Sequence, residues 1–153
     1  MLASAPVRER ESKTDLHSEP AWEIAHLFPA QGTWDEDEYL ELRPNRHVEF
    51  TDGFVEVLPM PTYSHQRIVR YLLHMLEAFV MAGQLGEVMF APLRVQIRPN
   101  KYREPDIVFM KRENLARCGE DYWVGADLVM ETVSDDARSR ERDLEKKRAD
   151  YAE

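Results

Sequence analysis

The chain has 153 residues, with 20 Lys and Arg set against 29 Asp and Glu for a net charge of -9. That length suits one domain with its own core, and the acidic balance excludes a protein that coats nucleic acid by neutralising phosphates. Cys118 is the only cysteine, so neither an internal disulfide nor a paired-cysteine zinc site can form, and a reducing cytoplasm is the expected compartment. The first residues lack an apolar signal segment, and no uncharged apolar run reaches membrane-spanning length, so no membrane contact is expected.

Residues 1–30 mix charges with Pro6, Pro20 and Pro29 and read as a flexible or partner-docking arm, in which Trp22, Leu27 and Phe28 are the docking groups. Residues 31–153 read as the folded domain. Within it, Thr33-Trp34-Asp35-Glu36 has the spacing of a capping box and predicts a short helix from Trp34 to about Leu42. Asp52-Gly53 predicts a tight hairpin between Arg46–Thr51 and Phe54–Leu58. From Ser64, a candidate N-cap, to about Met81, the spacing of Ile68, Leu72, Met75, Leu76 and Phe79 predicts the main core helix, ended by Gly83 and Gly86. Strands follow at Glu87–Phe90 and Leu93–Ile97; in the second, Arg94, Gln96 and Arg98 alternate with Val95 and Ile97, which predicts one wet face. Lys111–Cys118 predicts a short helix stopped by Gly119, and Ala137–Glu153 a charged helix whose apolar marks are Leu144 and Tyr151.

Two carboxylates stand out. Asp106 opens the run Ile107-Val108-Phe109-Met110, and Glu131 follows Leu128-Val129-Met130 and precedes Thr132-Val133. Both runs are apolar at successive positions, as in central strands covered on both sides. A carboxylate among such neighbours needs a partner, a hydrogen-bond cage or a metal, or it keeps its proton. Two acids on adjacent strand ends can share one cation, which is the chemistry of metal-dependent phosphodiester hydrolysis. Neither a serine nor the cysteine has a partnered His and Asp, and there is no glycine loop to cradle phosphate.

These residues, taken in order, resemble a known family. Pro105-Asp106, Glu131 at the end of Leu-Val-Met-Glu, then Asp143 and Lys147 ahead of Tyr151-Ala152, look like the Uma-two family of the PD-(D/E)xK nuclease superfamily. The likeness reaches upstream through Ser64-His65, Leu58-Pro59-Met60-Pro61, Asp52-Gly53 and Glu49, and so covers roughly Trp22 to the C-terminus. It implies an α/β (α+β) restriction endonuclease-like fold, a mixed β-sheet flanked by helices. It also implies a magnesium or manganese ion held by Asp106, Glu131 and Glu49, with Lys147 orienting the attacking water and His65 completing the pocket wall. The implied partner is nucleic acid, DNA foremost. The acidic net charge makes any such binding metal-dependent, and a homodimer is expected because a lone active site makes single cuts and the apolar arm offers a docking surface.

Three departures from the family pattern stand beside that likeness. The lysine expected two residues after the second acid is replaced by Val133, so Lys147 must serve; it lies three residues after Leu144 and four before Tyr151, beside the apolar stripe of its helix, where Lys146 does not. The Ser-Pro that follows the second strand in relatives is here Ser134-Asp135. Relatives also run on past the Tyr-Ala of this helix, so a truncated longer protein and an exposed sheet edge covered by a partner or by the arm are both open.

Each assignment has a competitor. Asp106 can merely begin its strand and accept hydrogen bonds, Lys147 can pair with Asp143, and Glu49 can share a solvated hairpin face with His47 and Thr51. His17, His26, His47 and His74 show no paired ligand spacing and receive no role. Arg94, Arg98, Lys101 and Arg103 could track a phosphate backbone. The rival function is a catalytically inactive nuclease-fold protein that binds or assembles.

Overall fold

In the computed structural model, which describes residues 28–44, 46–133 and 147–151, Asp52-Gly53 turns a hairpin between β1 (Val48–Thr51) and β2 (Phe54–Val57). Both turn residues have positive φ, 47° and 87°, the geometry that matches the right-handed twist of paired strands. Gly53 has no room for a side chain, because a Cβ there would lie 2.8 Å from the carbonyl oxygen of Gly32.

Helix α1 (Glu36–Glu41) is capped by Asp35 rather than by Thr33. Acid-containing cap spacing occurs twice in this stretch, and the second copy makes the reciprocal bonds: Glu38 N–H donates to Asp35 at 2.7 Å and Asp35 N–H to Glu38 at 2.9 Å. Thr33 instead donates its hydroxyl to the Ala30 carbonyl. The helix presents Tyr39 to β1, where it stacks on Phe50 with ring centroids 5.0 Å apart and donates to the Val48 carbonyl at 2.8 Å. Tyr39, Val48, Phe50 and Tyr102 form the first core cluster.

Helix α2 (Tyr63–Gly83) starts at Thr62, whose hydroxyl accepts from His65 N–H, and ends at Gln84 in the left-handed region. Ser64 is therefore inside the helix, and Gly83 is its last residue. The buried side is Val69, Leu73 and Val80, whereas Ile68, Met75 and Phe79, expected in the core, are 49%, 58% and 68% exposed. The helix is apolar on two faces, and spacing alone cannot say which of them meets the sheet.

Strands β3 (Gly86–Phe90), β4 (Val95–Arg98), β5 (Lys101–Arg103), β6 (Ile107–Lys111), β7 (Trp123–Val124) and β8 (Leu128–Met130) complete two sheets. The five-stranded sheet has the order β2-β1-β5-β4-β7, mixed because β4 and β7 are parallel, and the three-stranded antiparallel sheet has the order β3-β6-β8. β5 was not expected from the sequence. A left-handed residue at Asn100, φ 62°, turns β4 back into it.

Two further expectations are corrected. The polar side of β4 is covered rather than wet at Arg94 and Gln96, with only Arg98 at its end reaching solvent: Arg94 donates to the carbonyls of Leu40 and Leu42 at 2.9 and 2.7 Å and lies 4.6 Å from the Tyr39 ring centroid. Gln96 on the same side bonds to Glu36 and Tyr102. β6 is central and buried, but β8 is an edge among the described residues, with Leu128 exposed. The short helix expected over Lys111–Cys118 is present as a 3-10 helix, Arg112–Arg117.

The chain crosses between the sheets at Glu104-Pro105-Asp106, and Val95, Val108, Met110 and Trp123 pack in the seam. Val69 and Leu73 pack α2 on Ile107 of the smaller sheet. Of the arm only Phe28 to Ala30 is described, with Phe28 stacked on Trp34 at 6.0 Å. Of the expected last helix only α3 (Arg148–Asp150) and its flanks are described; Asp143, Leu144 and Lys146 lie outside the described residues. No helix among the described residues is long and apolar enough to cross a membrane.

Candidate active site

The antiparallel register of β6 and β8 pairs Ile107 with Met130. Continued by one residue, it sets Asp106 across from Glu131, and directly opposed residues point to one face. Both carboxylates line a cavity of about 300 Å³, together with His47, His65, Glu104, Thr132 and Lys147. Leu58, Pro59 and Pro61 form its apolar wall. Asp106 Oδ2 accepts the Thr132 N–H at 2.6 Å and lies 3.1 Å from His65 Nε2. The first turn of α2 thus delivers His65 to Asp106.

Lys147 is the centre of the cluster. It is 3% exposed, and its Nζ stands 2.9 Å from Glu131 Oε1 and 2.9 Å from Glu49 Oε1. Glu49 is itself 2% exposed; it comes from β1, where Arg103 of the neighbouring strand approaches it at 3.8 Å and the Glu104 N–H at 3.4 Å. Glu49 therefore reaches the cavity through Lys147 and does not line its wall. Tyr151, one helical turn beyond Lys147, donates its hydroxyl to Glu131 Oε1 at 2.8 Å.

Burial dominates the electrostatics here. It pushes the Glu131 carboxyl up to about 7, against the opposing pull of Lys147 and Tyr151 and with help from the Asp106 charge. Glu104 is likewise raised to about 7 by burial, although the Val48 N–H and Arg94 favour its ionised form. Burial alone would lower Lys147, but Glu49 and Glu131 outweigh it, so its ammonium is held above the usual lysine range. Burial also lifts the Tyr151 phenol far above its ordinary range.

Sequence reasoning did not reach several members of this cluster. Glu104 lies two residues before Asp106, a spacing that puts both on one side of extended backbone, and that spacing was its available signal. His47, given no role, lies with Nδ1 3.6 Å from Glu104 and lines the cavity. Asp150 accepts from Lys101 at 2.5 Å and from Arg103 at 2.6 and 2.9 Å. Burial disfavours its charge, yet those hydrogen bonds prevail and hold its carboxyl below the ordinary range. Of the four basic residues considered as a phosphate track, three are engaged inside the fold, Arg94 under α1 and Lys101 and Arg103 on Asp150, while Arg98 pairs with Asp52 at the surface.

The donor set suits a hard divalent cation. Asp106 Oδ1 and Glu131 Oε2 carry no hydrogen bond among the described residues, and these oxygens belong to opposed side chains on one cavity. Magnesium is commonly bound by one or two carboxylates, with water and substrate phosphate completing its shell. No group of three or more His, Cys, Asp or Glu among the described residues is assembled closely enough to hold an ion unaided.

Among solved structures the chain is similar to one titled "Crystal structure of a putative nuclease belonging to DUF820 from Anabaena variabilis ATCC 29413", with TM-score 0.57 and 20% sequence identity. The match covers 68% of this chain and 61% of that one, and at this identity the likeness is one of fold. No curated protein matches the chain. The model of the Uma2 family, described as "Putative restriction endonuclease", matches residues 34–153, which takes in both sheets and the cluster around Lys147, and the chain belongs to that family.

Proposed function

We propose that the chain is a metal-dependent endonuclease that hydrolyses nucleic-acid phosphodiester bonds, DNA foremost, in the cavity between Asp106 and Glu131. The supporting observation is the buried Lys147 ammonium fixed on Glu131 beside the opposed Asp106. Asp106 and Glu131 would hold magnesium or manganese, which when bound polarises a phosphate oxygen and lowers the pKa of coordinated water. His65 and the Thr132 N–H fix one oxygen of Asp106, and Lys147 and Tyr151 fix one oxygen of Glu131, so that the other oxygen of each is presented to the cavity.

Glu49, expected as a third ligand, serves in this proposal to hold Lys147 from behind. The ammonium then stabilises negative charge that grows on the phosphate during attack. The apolar wall from Leu58 to Pro61 keeps competing water away from the phosphate. Supercoiled duplex DNA and circular single-stranded DNA, each incubated with magnesium, manganese or chelator, test the reading. Metal-dependent cleavage of either by the wild-type chain, lost in Asp106→Ala and Glu131→Ala, is the expected outcome; activity on both no greater than in those variants would reject it.

The acidic net charge and Val133 in the position where the family pattern has a lysine favour the inactive binding protein as a second reading. Titration calorimetry separates the two, because that reading predicts no heat from millimolar magnesium or manganese. A homodimer belongs to the same proposal: Ile68, Tyr71, Met75 and Phe79 make an exposed, charge-free stripe along α2 that a second copy can cover without repulsion. Light scattering that shows only monomer at micromolar concentration would remove it.

A further inference from the structure

From residue 57 to residue 76 the sequence runs for 20 residues without one acidic side chain, in a chain that carries 29 acids. The run leads from the cavity wall at Leu58–Pro61 into α2 and contains Arg67 and Arg70. Tyr63, Arg67, Arg70 and His74 are spaced by four, three and four residues and so share one face of the helix.

Tyr63 is 79% exposed, and the Arg67 guanidinium lies 5.8 Å from its ring centroid. Across from them stands Phe90 at the end of β3, 53% exposed. Between the two aromatic residues lies a groove of about 350 Å³, floored by Val69 and Leu73 and edged by Arg67 and Arg70. Phe90 pairs with Ile107, the residue after Asp106, and the Ala91 N–H donates to the Asp106 carbonyl at 3.2 Å. Gln66 borders both this groove and the Asp106–Glu131 cavity. The groove therefore opens next to the proposed catalytic aspartate.

Exposed aromatic faces flanked by guanidinium groups match the π-face of a base and the phosphate beside it. Bases within a duplex are stacked on one another and cannot offer that face, whereas unpaired bases can. We infer that the substrate class of this site is single-stranded nucleic acid, with an unpaired base seated against Tyr63 and Phe90 and its flanking phosphates on Arg67 and Arg70. The inference rests on the nuclease reading above and goes beyond it by naming the strand state.

The test measures fluorescence anisotropy of a labelled 12-nucleotide single strand, the same sequence as duplex, and the same strand with abasic positions, all with manganese and on the full chain carrying Glu131→Gln. Binding of the single strand at least tenfold tighter than duplex or abasic strand is expected, with Tyr63→Ala and Phe90→Ala each costing about tenfold. Tyr63→Trp retains the affinity, and thermal melting confirms that these exposed substitutions leave the fold intact. Equal affinity for single strand, duplex and abasic strand, or indifference to Tyr63→Ala and Phe90→Ala, overturns the inference. So does loss of self-association in Tyr63→Ala with nucleic-acid binding unchanged, which would assign the groove to a second copy of the chain. Metal-dependent cleavage of duplex and of single-stranded circular DNA by the wild-type chain is scored separately, so the nuclease reading can stand while this inference falls.

Discussion

Replacing Glu131 by Gln should make the metal-free protein more stable at alkaline pH, although it removes the partner of a buried lysine. Burial lifts the Glu131 carboxyl from 4.5 to about 7 in the folded state. A folded-state value above the unfolded one means that stability is fully present below pH 4.5 and is lost as pH rises through about 7. At about 1.4 kcal/mol per unit, ionisation of Glu131 costs the fold about 3 kcal/mol by pH 8. The side chain is only 15% exposed, so solvent screening does little to reduce that figure. Glutamine keeps the size and the Oε1 acceptor for Lys147 and Tyr151, but it does not titrate. Urea unfolding in chelator, at half-unit steps from pH 4.5 to 8, should therefore show the two proteins nearly equal at the acid end and the variant ahead by up to about 3 kcal/mol at the alkaline end. Glu104 titrates in the same window but is present in both proteins and cancels in the difference. Asp52, Asp127 and Asp150 are held below 3.8 and lie outside the window. A variant less stable than wild type at pH 8, or a difference that does not change with pH, would show that the ion pair with Lys147 outweighs desolvation and would refute the reasoning.

Lys147→Met leaves Glu49 and Glu131 buried without the ammonium between them, and should cost about 3–5 kcal/mol at pH 8 by chemical unfolding. Adding Glu131→Gln should return part of that loss. Magnesium or manganese at millimolar concentration should raise Tm more at pH 8 than at pH 5, because the ion competes with protons for Glu131; Asp106→Asn should abolish the shift measured by scanning fluorimetry. Asp150→Asn removes the acceptor shared by Lys101 and Arg103, and the destabilisation, about 3 kcal/mol at neutral pH, should shrink as pH falls through the lowered Asp150 value. Tyr39→Phe should cost about 1–2 kcal/mol, since the buried Val48 carbonyl loses its donor, and should leave DNA cleavage unchanged.

What the sequence made legible follows from how local each signal is. The Asp52-Gly53 hairpin and the apolar run of β6 were readable because turn chemistry and strand burial are written in neighbouring residues. The two apolar faces of α2 were not separable, because choosing between Val69 and Ile68 depends on where the sheet lies, a long-range fact. Arg94 read as a solvated strand residue, yet α1 turns its last carbonyls toward β4 and captures it. Strand β5 is three residues long with two of them charged, and it exists because β1 and β4 pair with it from either side. In the cluster, Asp106 and Glu131 were visible as charges against apolar neighbours. Glu49 was not distinguishable from a solvated hairpin acid, since its 2% exposure is produced by Lys147 and Arg103 from distant parts of the chain.

The short segment that carries Lys147 joins the proposed catalysis to stability. Lys147, Asp150 and Tyr151 stand at i, i+3 and i+4, hence on one helical face. Lys147 reaches Glu49 of the five-stranded sheet and Glu131 beyond the end of β8, Tyr151 also bonds Glu131, and Asp150 grips Lys101 and Arg103 of β5. One face of one helical turn therefore spans both sheets at the point where Glu104-Pro105-Asp106 crosses between them. Neutral residues in place of these charges would relieve the cost of burying them. Their presence is intelligible if that cost is what keeps two carboxylate oxygens presented to the cavity, where a cation can offset it. On this account the strain at Glu131 and the proposed metal requirement have the same origin, and a change that lowers one should weaken the other.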